Sequence, residues 1–248
     1  MNGWGIAIFG VAGFGMAVLS GIAGAGGGFV MIPLGIMLGM TPAQAVSTGK
    51  FSGVSIAVGS LVGMGRQRQK LAWIKMAPVL LLAFLVGLAV PYAIKNFQSD
   101  SYKIIMAVLL LITIPIVIFK HLGLKARKTT KAQRTVGSVL LAFALSLQGI
   151  FGGGIDTLVN VTLMGLLGMS VIQANITKRW SQLVLNATII VGVFGSGLIV
   201  WKIAAIGIVA TLTGSYIGGR IATHKSSLFV THIMVFMMLL AAVFLIAA

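Results

Sequence analysis

LGMTPAQAVSTGKFS, from Leu38 to Ser52, returns as LGMSVIQANITKRWS from Leu167 to Ser181. Seven of the fifteen positions are identical, and Thr41/Ser170, Lys50/Arg179 and Phe51/Trp180 are like for like. Each copy follows a glycine cluster, Gly24–Gly28 or Gly152–Gly154, and each plants a cation in an otherwise apolar stretch. A duplicated segment that matches a helix break with a buried charge in both copies points to the central site of a membrane carrier. Cations in that position make the expected ligand an anion.

Composition widens this reading to the whole chain. Of 248 residues, 58% are hydrophobic and 8% are charged. Asp, Glu, Lys and Arg are absent from Met1 to Gly49, and further charge-free runs cover Met76–Ile94, Ile104–Phe119, Thr135–Ile155, Thr157–Thr177 and Trp180–Trp201. A helix needs about 20 apolar residues to cross a hydrocarbon core of roughly 30 Å. The expected fold is therefore an all-α polytopic membrane protein. Its 18 Lys and Arg outnumber 2 acids, but half of them crowd into Arg66–Lys70 and Lys120–Arg134, the mark of cytoplasmic loops rather than of a nucleic-acid surface. Cysteine is absent, which removes disulfides and thiolate metal sites, and neither metal nor cofactor is expected. The first five residues hold no basic residue, so the first helix reads as retained rather than as a cleaved signal.

Charges and breakers cut each half into five helical pieces. The first half gives Trp4–Ile22, Phe29–Gly39, Pro42–Gly63, Leu71–Ile94 and Tyr102–Phe119; the second gives Val136–Ile150, Thr157–Gly168, Val171–Ser196, Trp201–Ile221 and Leu228–Ala247. The domain reading is a first repeat over 1–122, a basic linker over 123–134 and a second repeat over 135–248. Counting positive loops as inside puts Arg66–Lys70, Lys120–Arg134 and Arg220–Lys225 in the cytoplasm and leaves Lys95–Lys103 and Gly195–Val200 outside. Equivalent loops then fall on opposite faces, so the halves are expected to be inverted repeats about an axis in the membrane plane. Trp73 and Trp201, each opening a helix after a loop, read as interface anchors.

The candidate site follows from the repeat. A glycine within a helix costs about 1 kcal/mol against alanine, so Gly26, Gly27, Gly28 and Gly152, Gly153, Gly154 read as helix breaks at depth, tolerated where they line a cavity. The short helices that follow would offer free N–H groups to an anion. Lys50 and Arg179, with Lys178, are intramembrane cations, each costing at least about 2.5 kcal/mol at the bilayer centre and so functional candidates. Thr48, Thr177, Ser52, Ser181, Gln44 and Gln173 flank them as possible donors, although membrane-helix hydroxyls often bond back to their own helix. Asp156 opens a short helix. Its expected role is an N-cap, with two sharper alternatives, a partner that orients Arg179 or Lys178 and a proton carrier that couples transport. His121 and His224 read as solvated loop residues, and His232 lies in the last helix without an evident partner.

The stretch SGIAGAGGGF at Ser20–Phe29, followed by Met31, Ile32, Pro33 and by Thr41, Pro42 and Ala45 in Thr-Pro-x-x-Ala spacing, resembles the TauE/SafE family of sulfite exporters and 4-toluene sulfonate uptake permeases. The second half departs from the first, with Ile155 and Asp156 standing where the first copy has Gly27 and Gly28, and Lys178 replacing Gly49. The resemblance implies secondary transport, usually outward, of sulfite, sulfoacetate or another organosulfonate across the cytoplasmic (inner) membrane. The partners are then a small anion and the lipid bilayer, with the oligomeric state open and a homodimer one possibility. An anion-selective channel and an uptake carrier are the alternatives. An enzyme is not expected, since two acids and three histidines assemble no catalytic constellation.

Overall fold

The structure is a computed structural model, and it describes residues 3–23, 28–65, 73–95, 129–152 and 155–225, with 229, 232, 233 and 236 beyond them. Among these residues eight helices run in order: α1 (Gly3–Ala23), α2 (Gly28–Met37), α3 (Pro42–Gly63), α4 (Trp73–Lys95), α5 (Lys131–Phe151), α6 (Asp156–Gly165), α7 (Val171–Val193) and α8 (Trp201–His224). The expected helix at Tyr102–Phe119, most of Leu228–Ala247, His121, the loop Arg66–Lys70 and the glycines Gly26, Gly27, Gly153 and Gly154 lie outside the described residues. Five helices are long and apolar enough to cross a bilayer: Trp4–Ile22, Pro42–Gly63, Met76–Lys95, Lys131–Phe151 and Trp201–His224. The fold is all-helical and multi-pass.

Several boundaries differ from the sequence reading. Helix α5 begins at Lys131 rather than Val136, because Thr130 and Gln133 close a capping box there, so the last part of the expected linker is already helical. Helices α2 and α6 stop short of Gly39 and Gly168, which adopt φ of +90° and +69°, a left-handed turn that favours glycine. Helix α8 continues to His224, which is exposed at the helix end rather than in a loop. His232 is likewise exposed.

Repeat-related helices match in length: 21 and 21 residues for α1 and α5, and 10 and 10 for α2 and α6. Their contacts match as well. Helix α1 packs on α8 and α5 on α4, while α3 lies along α8 and α7 along α4. The opening helix of each half is thus held by a helix of the other. Small residues make this possible: a methyl group on Gly218 would overlap the Val18 carbonyl, and one on Gly59 would overlap Ser215 and the Leu212 carbonyl. Close backbone approach of this kind takes the place of a hydrophobic driving force between helices in lipid. Gly21 meets Gly218 as Gly149 meets Val90, and Gly59 meets Ser215 as Gly87 meets Thr188.

At the centre α3 crosses α7. Gly53 lies against Asn186, whereas Leu61 and Met64 pack with Ile176 and Trp180. Residue numbers rise along one helix as they fall along the other, so these two equivalent helices run antiparallel.

Candidate functional site

Two capping boxes fix the depth of the repeated cations. The Thr41 hydroxyl accepts from the Gln44 N–H at 3.2 Å while the Gln44 side chain accepts from the Thr41 N–H at 3.1 Å. Ser170 and Gln173 do the same at 3.3 and 3.2 Å. Such a box satisfies two of the free donors at a helix start. Gln44 and Gln173, expected as possible donors to an oxyanion, therefore start their helices, with their side-chain oxygens committed to the caps. With both starts fixed, Lys50 and Arg179 take equivalent places on α3 and α7.

All three cations are inside. Lys50 is 3% exposed, Lys178 and Arg179 are 0%, and Asp156 is 1%. The Lys50 ammonium donates to the Gln148 carbonyl at 3.3 Å and to the Gly149 carbonyl, both in the last turn of α5. The Arg179 guanidinium donates from one terminal nitrogen to the Ser20 carbonyl, in the last turn of α1. Ser20 and Gln148 are each three residues from the end of their helix. The repeated cations thus make the same kind of contact across the repeats, each bonded to a last-turn carbonyl of the other half's opening helix, where the negative dipole end favours positive charge. Nε and Nη1 of Arg179 have no partner among the described residues.

Asp156 corrects the expectation that it caps α6. Ile155 takes the N-cap position without a side-chain cap bond, and the Asp156 carboxylate instead pairs with the Lys178 ammonium at 3.0 Å. The Gln148 side-chain amide also donates to that carboxylate. Asp156 is the only acid among the described residues, and its charge acts on Lys50, Lys178 and Arg179 alike. This contact with Lys178 is the pairing that the sequence left as an alternative to the cap. The pair belongs to the second repeat alone, since the first carries glycine at both places, Gly28 and Gly49.

A cavity of about 20 Å³ lies between the repeats, lined by Lys50, Gln148, Gly152, Asp156, Gln182 and Asn186 among others. That is room for about one water molecule. Gly152 contributes φ +82° and leaves no space for a side chain against Ile32, so the break needs glycine here. Of the remaining candidates, Thr48 accepts from the Val200 N–H at 3.0 Å, tying α3 to the start of α8. Ser181 donates back to the Lys178 carbonyl at 2.9 Å, and Ser52 packs on Gly207. Thr177 is wholly buried and its hydroxyl has no partner among the described residues. Gly28 opens α2. Trp201 is half exposed and edge-on to Phe51 at 5.6 Å between ring centres.

Sequence reading missed Gln148, Gln182 and Asn186, although a signal for them existed. Lys178, Gln182 and Asn186 stand four apart, one polar stripe along a helix, and Gln148 is the lone amide of an apolar run that ends at a glycine cluster.

Two comparisons bear on this geometry. The family model described as "Sulfite exporter TauE/SafE" matches residues 9–245. A Haemophilus influenzae protein named "probable membrane transporter protein" is 25% identical over 240 residues, covering 94% of this chain and 91% of that protein. No solved structure matches the chain.

Proposed function

Because this chain belongs to the TauE/SafE sulfite exporter family of membrane transporters, we propose that it is a secondary carrier. Its cargo is a small sulfur-containing oxyanion (sulfite, sulfoacetate or another organosulfonate), exported across the cytoplasmic membrane. The observation that carries this reading is Arg179, a fully buried guanidinium with two donor nitrogens that have no partner among the described residues. An unpaired buried donor costs about 1–3 kcal/mol, and more when charged, so a ligand that supplies acceptors gains that amount. Three cations face one acid here, so the ligand that fits is an anion. Lys50 and Lys178 add their field, and Thr177 a hydroxyl.

Alternating access is the mechanism that accords with the burial of Arg179. Its side chain is wholly buried, so an anion reaches its unpartnered donors only when the packing around it opens. That supports a carrier, which exposes its site to each side in turn, over a channel with a standing pore. Purified protein in liposomes should give saturable sulfite flux stimulated by sulfite on the far side. Single-channel currents in place of counterflow would overturn the carrier reading.

The halves are read as inverted repeats, supported by the antiparallel crossing of α3 and α7. The test is labelling in a chain that has no cysteine of its own. Cysteines placed at Ser99 and Ser196 should both label from outside, and those at Arg68 and Lys128 only from inside. Labelling of Ser99 and Ser196 from opposite faces would refute the arrangement.

A further inference from the structure

Broken-helix carriers use the carbonyls at half-helix C-termini to hold a coupling sodium ion or proton. In this chain the end of α5 presents such carbonyls, those of Gln148 and Gly149, and the Lys50 ammonium is bonded to both. Around the same point three further oxygens have no hydrogen-bond partner among the described residues: Gln148 Oε1, Asp156 Oδ2 and Gln182 Oε1. Their side chains are at most 3% exposed and line the cavity that Lys50 also lines. The Lys50 ammonium and the residues that carry four of these five oxygens, one of them a carboxylate oxygen, line a space the size of one water molecule. That is the donor set of a hard monovalent cation rather than of an anion.

We infer that this is a monovalent-cation site whose cation is part of the chain. The Lys50 ammonium, tethered from the opposite repeat, stands where a sodium ion would sit, and transport by this protein proceeds without sodium. The other half carries the same device independently, with the Arg179 guanidinium on the Ser20 carbonyl at the end of α1. That half has glycine, Gly28 and Gly49, where the second has Asp156 and Lys178. Among the described residues, only the Lys50 place therefore has the carboxylate and the oxygen set to hold a free ion. The inference deepens the transport reading by assigning the coupling cation, and it rests on that reading only for its statement about transport.

The experiment is binding, not flux. Thermal midpoints of purified wild type, Lys50→Ala and Lys50→Arg are compared in sodium chloride and in N-methyl-D-glucamine chloride at equal ionic strength. Wild type and Lys50→Arg should agree between the two salts within about 1 °C. Lys50→Ala should gain on the order of 3–6 °C in sodium when the ion exceeds its Kd about tenfold. Because truncating a buried side chain can impair folding, Lys50→Gln is tested alongside, and folded yield is read in both salts. A sodium response in wild type overturns the inference. So does the absence of any sodium benefit, in yield or in midpoint, from both Lys50→Ala and Lys50→Gln. Sodium stabilisation confined to the Lys50 variants, with no sulfite flux in wild-type liposomes, would uphold the cation site and reject the transport reading.

Discussion

Arg179→Ala is expected to reduce anion affinity and flux by at least about 100-fold while the protein still inserts and folds. The side chain is wholly buried, gives one hydrogen bond to the Ser20 carbonyl and keeps two donor nitrogens without partners among the described residues. Each hydrogen bond from a charged group is worth about 1.5–3 kcal/mol, so two lost to a bound oxyanion amount to roughly two to four decades in affinity. Arg179→Lys separates the two jobs of this residue. A lysine retains the charge and can still cap the end of α1, but it is a point charge that cannot reproduce the planar donor set. Its thermal midpoint should stay near that of wild type while sulfite binding, read by calorimetry, remains impaired. Near-normal sulfite flux in folded Arg179→Ala would place the anion elsewhere.

Asp156→Asn should be the most destabilising conservative change in the chain. The carboxylate pairs with Lys178 at 3.0 Å, accepts from Gln148, and is the counter-charge for all three cations. Removing one member of a buried pair costs about 3–5 kcal/mol, because the other charge is left uncompensated. A drop of on the order of 10 °C in thermal midpoint, or collapse of expression, is the expected result. Removing both charges should recover much of the loss: Asp156→Asn combined with Lys178→Met should be clearly more stable than Asp156→Asn alone, with a large coupling energy in the double-mutant cycle. A helix cap would behave otherwise, since asparagine caps as well as aspartate, and the single variant would then be stable. A proton carrier would give pH-coupled flux in wild type that vanishes in stable Asp156→Asn. Either result would overturn the orienting role proposed for Asp156.

The two predictions separate residues of different standing. Arg179 belongs to the repeat and has its counterpart in Lys50, whereas Asp156 and Lys178 are additions of the second half alone. A site built from a duplicated unit is symmetric by descent. The ion pair breaks that symmetry by giving the second repeat two cations and an acid where the first carries Lys50 alone. Substrate orientation is therefore expected to be set by the second repeat and affinity by Arg179.

The sequence by itself determined the class, the duplication and the cations. Charge-free runs of spanning length admit few other folds, and the Leu38–Ser52 and Leu167–Ser181 copies carry enough identity to be seen by eye. The starts of α3 and α7 were legible for the same reason, since Thr41-x-x-Gln44 and Ser170-x-x-Gln173 are local capping signals. Local signals did not say what each polar side chain touches. Gln44 and Gln173 looked like ligand donors and are caps; Asp156 looked like a cap and is an ion-pair partner. Tertiary structure decided those roles, because the partners of Lys50 and Arg179 come from the opposite half, about 100 and 159 positions away in the chain. Spacing along one helix cannot report a contact made across the crossing of two repeats. In an apolar interior a buried charge takes whichever carbonyl or carboxylate the packing brings within reach.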